Sequence, residues 1–221
     1  AANIAEKQFL DLERKFVHSV KRRIPLVIYS SHIFFEQTNI IPDLLPEGVA
    51  GFTEFLKGRV VLPLSGSLPR FERVLHHELV HVFMFDRIKN VLDRHQVLDY
   101  RPPPLWFSEG IAEYWSNGQS AFGDMVLRDA IFSKRFVPIE NMFKINGSFL
   151  MYKEGESICE FMARRFGEDI FEQLFNNWWR SEKFENIFKL TTGESLEVFD
   201  REWVYHESKH YFPAIANRDP P

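Results

Sequence analysis

His77, Glu78 and His81 are the residues whose types and spacing most directly suggest chemistry in this chain. They stand in Arg73-Val74-Leu75-His76-His77-Glu78-Leu79-Val80-His81-Val82-Phe83-Met84, where Val74, Leu75, Leu79, Val82 and Phe83 recur at helical spacing. That pattern predicts a mostly buried helix. On a helix, His77 and His81 share one face about a turn apart. Two imidazoles so placed suit one tetrahedral zinc ion (Zn2+), while Glu78, displaced around the helix, suits a metal-bound water. Zinc lowers the pKa of bound water to roughly 7, and a nearby carboxylate takes the proton as hydroxide attacks a carbonyl. Metal-assisted hydrolysis needs these residue types.

A blander reading stands beside that one. A buried histidine ordinarily hydrogen-bonds a backbone carbonyl, and five-residue patterns arise by chance. The chain carries its own control, because His206-Glu207-Ser208-Lys209-His210 has the same spelling. Ser208 and Lys209 fill its middle and no acidic helix follows it. The expectation there is a solvated helix end. The first copy, flanked by apolar residues, is the candidate site.

At 221 residues the chain is long enough for one large domain or a domain of two lobes. Its 45% hydrophobic and 26% charged residues are those of an ordinary globular protein. A net charge of -4 and a pI near 6.1 make no electrostatic case for nucleic acid. No apolar run approaches the ~18 residues of a membrane span. The single cysteine, Cys159, excludes an internal disulfide and a cysteine-based zinc site. The chain begins Ala-Ala-Asn without Met, so a removed signal peptide and export, or a fragment, are both expectations. Twenty-three Phe, five Trp and six Tyr predict an aromatic core.

Several elements must position the histidines. Residues 3–23 repeat apolar positions at three and four and end in Lys21-Arg22-Arg23, which predicts an amphipathic helix. Residues 25–30 read as a short strand, 32–37 as either strand or helical turn, and 38–49, with Pro42, Pro46 and Gly48, as a loop. Strands follow at 51–55 and 59–64, joined near Lys57-Gly58. Pro63 cannot donate to a ladder, which predicts an edge position for the second, where an extended peptide could pair. Ser67 offers an N-cap with Pro69 in the first turn of the histidine helix. Residues 86–104 are polar and end in Pro102-Pro103-Pro104, predicting an extended approach to the next segment. That segment, Leu105 to Trp115, reads as a helix with Glu109 and Glu113 on one face. Further helices are expected at about 121–134, 148–166, 167–179, 181–190 and 195–210.

A catalytic zinc site needs a third protein ligand and one open position. Six residues past His81 stands Arg87, not a histidine, and Glu109 is the better-placed donor. Here the chain resembles the gluzincin metallopeptidases, the thermolysin-like and aminopeptidase-like group. His77-Glu78-Leu79-Val80-His81 matches their His-Glu-x-x-His, and Trp106-Phe107-Ser108-Glu109-Gly110 is similar to their Trp-x-x-Glu-Gly. The resemblance implies Glu109 as third ligand and Glu113 as the carboxylate that orients a ligating histidine. Tyr152-Lys153-Glu154-Gly155 resembles the Tyr-x-x-Gly segment of the aminopeptidase branch, which implies that the Tyr152 hydroxyl steadies the oxyanion. A tyrosine beside Phe149, Leu150 and Met151 is also compatible with a core position. One departure stands out. Where the aminopeptidases carry Gly-x-Met-Glu-Asn to grip a free amino terminus, this chain has Gly51-Phe52-Thr53-Glu54-Phe55, leaving endo- against exopeptidase action open.

The expected fold is therefore α+β and zincin-like. It is one peptidase domain over 1–221, with a small mixed sheet and helices in an N-terminal lobe (about 1–85). A mainly helical C-terminal lobe (about 86–221) follows, with a cleft between. The resemblance implies zinc-dependent hydrolysis of a peptide or protein substrate, lying extended along 59–64. Some relatives are joined to β-propeller modules, so fusion or contact with another domain is a further expectation. A zinc-bearing binding or scaffold domain, or a hydrolase of non-peptide amides and esters, remains as an alternative.

Overall fold

The structure, a computed structural model, describes residues 1–41, 49–55, 57–64, 66–117 and 120–212. Most of the loop expected at 38–49, including Pro42, Pro46 and Gly48, lies outside the described residues. The architecture is α+β, mostly helical with one three-stranded mixed sheet, and the chain divides into two compact units, Ala1–Pro102 and Pro103–Pro221.

The first unit contains α1 (Ala2–Phe16), β1 (Leu26–Tyr29), α2 (His32–Glu36), β2 (Phe52–Glu54), β3 (Arg59–Pro63) and α3 (Leu68–Arg94). Helix α1 is shorter than its apolar pattern predicts. Val17 takes a left-handed conformation (φ 46°), and the amides of Val17 and His18 turn back onto Arg14 and Glu13. The residues beyond are drawn off by polar ties: His18 Nε2 lies 2.7 Å from an Asp86 carboxylate oxygen, and Arg22 donates to the Gly58 carbonyl at 3.2 Å. Helices α1 and α3 pack through Phe9 and Phe16, whose ring centroids lie 4.9 and 5.7 Å from that of the fully buried Phe83. Burying one such phenylalanine stabilises by about 1.5–3 kcal/mol.

The strands run in the order β1-β3-β2, with β1 parallel and β2 antiparallel to β3. Val60, Val61 and Leu62 of β3 are fully buried. The expected edge position of β3 is thus overturned: it is the central strand, and a peptide cannot pair along 59–64. Pro63 is tolerated because it is the last residue of the strand, paired with Tyr29, and the Leu64 amide carries the ladder on by donating to the Tyr29 carbonyl at 2.8 Å. Among the described residues the outer edges belong to β1 and β2.

Ser67 caps α3, its hydroxyl accepting from the Arg70 amide at 3.4 Å, with Pro69 in the first turn. The helix does not stop near Met84 for a polar, extended stretch. Ile88, Val91 and Leu92 prolong the buried stripe, and it runs to Arg94.

The second unit contains α4 (Leu105–Asn117), α5 (Ala121–Phe132), a 3-10 turn at Ile139–Ile145, α6 (Phe149–Phe166), α7 (Ile170–Asn176), α8 (Phe184–Thr192) and α9 (Leu196–Tyr211). The stretch expected as one helix over 167–179 is broken: after α7 comes a separate 3-10 turn, Trp178–Arg180. Aromatic side chains fill this core. Phe107 is ringed by Phe171, Phe175, Trp178 and Phe184, with centroids 4.9–6.4 Å away. Helices α4 and α6 meet at two glycines. A Cβ at Gly110 would overlap the carbonyl of Gly155, and one at Gly155 would overlap the carbonyl of Trp106. These are the glycines of the Glu-Gly and Tyr-x-x-Gly segments, so a packing requirement explains both. No helix among the described residues is long and apolar enough to cross a membrane.

Because the obstructing atoms are backbone, neither glycine can accept a methyl group without a helix shift. Gly155→Ala and Gly110→Ala should each cost about 1–3 kcal/mol or more in chemical denaturation. Gly147→Ala, where a Cβ meets nothing within 4 Å but φ is +75°, should cost less than either. Equal losses at all three positions would mean that the helix crossing is looser than described.

Candidate metal centre

Helix α3 presents His77 and His81 four residues apart, and their Nε2 atoms lie 3.2 Å from one another. The rings stand 4.9 Å apart at 75°, so the two nitrogens converge while the ring bodies diverge. With metal–nitrogen bonds of about 2.05 Å, a 3.2 Å separation subtends roughly 103° at a metal, close to the tetrahedral value of about 109°. Glu109 of α4 completes the set. One ligand atom from each of His77, His81 and Glu109 lies within 4.8 Å of the others. This group can hold a metal ion. It contains the three residues that the sequence singles out as ligands.

Glu78 is buried, with 6% of its surface exposed. Burying a carboxylate is costly unless it is hydrogen-bonded. Thr53, in the middle of β2, meets that need: its Oγ1 lies 2.9 Å from Glu78 Oε2 and 3.0 Å from the Glu78 carbonyl oxygen. The approach of strand to helix depends on Gly51, where a Cβ would lie 2.9 Å from Val74 Cγ1 and 3.3 Å from Glu78 Cγ. Sequence reasoning missed Thr53. A threonine in a short strand is unremarkable, and only the pairing of β2 with β3 places it on α3.

Glu113 lies one turn beyond Glu109 on α4, and there the structure adds a partner that the resemblance did not supply. Lys153 of α6 donates to Glu113 and, at 2.9 Å, to Glu156. Burial works against the lysine charge, but the two carboxylates outweigh it and hold the Lys153 pKa above the ordinary lysine range. Burial raises the pKa of Glu156, with Lys153 opposing. Tyr152, half-buried, precedes this lysine on α6. The sequence did carry a signal: Lys153, Glu154 and Glu156 interrupt a stretch whose helical neighbours are apolar, and charges so placed must find partners.

The second His-Glu-x-x-His lies on α9 in a different setting. Arg164 donates to His206 Nε2 at 3.0 Å, so the lone pair that a metal would need is engaged. Glu207 is buried, unlike a residue of a fully solvated helix end. Among the described residues His206 and His210 belong to no metal-holding group.

No protein-family model matches the chain, and no curated protein matches it.

Glu154 supplies a pH test of the helix that carries Tyr152 and Lys153. Fully buried, it accepts the Val137 amide on Oε1 at 3.0 Å, while Oε2 has no hydrogen-bond partner. Burial, reinforced by Asp200, pushes its pKa up to about 8 against an opposing Val137 hydrogen bond. The folded state therefore holds this proton more tightly than the unfolded chain. The resulting stability is full below about pH 4.5 and is lost as pH rises towards 8, by at most on the order of 5 kcal/mol. Glu154→Gln, neutral throughout, should gain stability over the parent between pH 5 and 8. Denaturant midpoints at both pH values check this, and a constant difference would contradict it.

Proposed function

We propose that the protein is a zinc-dependent metallopeptidase of the gluzincin kind with a zincin-like fold, hydrolysing peptide bonds in extended substrates. The observation that carries this reading is the convergence of His77, His81 and Glu109 beside Glu78. Three protein ligands are the complement of a catalytic zinc, whereas a structural zinc is closed by four. Held by these residues, zinc would supply the Lewis acidity that polarises a scissile carbonyl and acidifies water.

The chain's own residues do the rest. Glu78, next to a ligand and buried, takes a proton from the attacking water as its oxygen bonds to the carbonyl carbon. It returns that proton to the amide nitrogen as the carbon–nitrogen bond breaks. The Tyr152 hydroxyl is assigned to the developing oxyanion. Lys153, by holding Glu113, fixes a carboxylate one turn from Glu109. Substrate pairs as an added strand with the outer edge of β2, since both sides of β3 are taken. Glu54 is engaged by Arg59 Nε at 3.0 Å and by the Lys57 amide at 3.1 Å. A carboxylate so engaged is a poor grip for a free amino terminus, which favours cleavage of internal bonds.

Elemental analysis of the purified full chain should find about one zinc per molecule, strongly reduced in His77→Ala and in Glu109→Ala. Glu78→Gln should keep the zinc and lose cleavage of an unfolded protein substrate by about 100- to 10,000-fold. Zinc binding with no cleavage of any peptide would point to a binding domain, and turnover of esters alone to another hydrolase class. Unchanged cleavage by Glu78→Gln would remove that residue from the mechanism.

A further inference from the structure

We propose that Thr53 is a positioning residue that acts through Glu78: its hydroxyl holds the Glu78 carboxylate by Oε2 and so leaves Oε1 as the oxygen that exchanges protons with the reactants. This rests on the hydrolase reading above. Thr53 Oγ1 has one proton and faces two acceptors of the same residue, the Glu78 carbonyl oxygen at 3.0 Å and Oε2 at 2.9 Å. The carbonyl, inside a continuous helix, has an amide one turn on as its ordinary partner. The carboxylate oxygen is the stronger acceptor, because hydrogen bonds to ionised groups are about twice as strong as neutral ones. The hydroxyl proton therefore goes to Oε2.

The position of the hydroxyl is itself fixed. Thr53 pairs with the fully buried Val60 on β3, and Glu54 beyond it pairs with Arg59 and is tied to it by side chain as well. On the other side Gly51 lets the strand lie against Val74 and Glu78 where any side chain would hold it off. A short strand locked at both ends thus delivers one hydroxyl to one oxygen of a flexible carboxylate. Without it, Glu78 must be ordered anew each time it accepts a proton, and the loss falls on the chemical step rather than on substrate binding.

The test uses the full chain and two kinds of readout. In the first, unfolding midpoints are measured for the parent, Thr53→Val, Glu78→Ala and the double variant. Thr53→Val should shift the midpoint of the parent by at least twice as much as it shifts that of Glu78→Ala. Equal shifts show no coupling between the two side chains and overturn the proposal. In the second, Thr53→Val should lower kcat by about 10- to 100-fold with KM within about threefold of the parent, and Thr53→Ser should recover most of the loss. An unchanged kcat, or a serine variant as impaired as the valine one, overturns it. Should Thr53→Val not fold, Thr53→Ala carries the same comparisons. If the parent cleaves no peptide, the hydrolase reading falls by itself, and the unfolding cycle alone decides whether Thr53 holds Glu78.

Discussion

The burial of α3 on several sides at once governs what His77, Glu78 and His81 are able to do. Leu75, Leu79 and Val82 lie on one side of the helix, and Val80, Met84 and Val91 on the opposite side, all buried. A rotation about the helix axis would lift some of them into water, at about 25 cal/mol for each Å2 of apolar surface exposed. The polar side chains among them have no freedom to find partners by turning the helix. Partners must be brought to them. Thr53 arrives on β2, and the approach of two imidazole nitrogens to 3.2 Å follows from a four-residue spacing on a helix that cannot turn.

The parts legible in the sequence are those where local chemistry and tertiary demand agree. Ser67 caps the helix and Pro69 sits in its first turn, since neither needs a distant partner. His77 and His81 could be named from ligand type and helical spacing, and Glu109 from the resemblance of Trp106-Phe107-Ser108-Glu109-Gly110 to the gluzincin segment. The sheet order was not legible. Proline's missing donor argues for an edge only where the ladder needs that donor, and at the end of β3 the Leu64 amide supplies the next bond instead. The sequence hides the length of α3, because Asp86, Lys89 and Asn90 mask the buried stripe of Ile88, Val91 and Leu92. Thr53 was invisible for a further reason: its partner lies 25 residues away, and nothing local marks the pair.

Helix α6 shows a second kind of constraint. Gly155 must lack a side chain for α4 to lie against it, and the residues flanking that contact, Lys153, Glu154 and Glu156, are charged yet buried. Close helix packing removes water from these groups, so each must be paired or neutral. Lys153 is paired, bridging Glu113 and Glu156. Glu154, with its pKa pushed up to about 8, is mostly neutral at pH 7. Replacing Lys153 by an apolar residue would leave the buried Glu156 carboxylate beside the partly buried Glu113 with no cation between them, which is costlier than never having buried the pair. The glycine contact and the charge pattern are therefore one arrangement, and the same helix carries Tyr152.

The duplicated His-Glu-x-x-His separates spelling from site. Both copies lie on helices, both histidine pairs share a face, and both glutamates are buried. Helix geometry and a buried glutamate are therefore common to both, but His81 is buried where His210 is exposed. A further difference lies in what meets the ring nitrogens. On α9 a guanidinium, a group that only donates, is directed at His206 Nε2. For a metal to bind there, that hydrogen bond would have to break and two positive charges would have to sit side by side. On α3 the nitrogen of His77 meets the nitrogen of His81, and the third atom to approach is a carboxylate oxygen. With one ring's N–H donating to the other the contact is an ordinary hydrogen bond, and with both lone pairs exposed the same three atoms can hold a metal ion. The ring nitrogens of the first copy thus belong to a group that can hold a metal ion, whereas that of His206 already faces a cation.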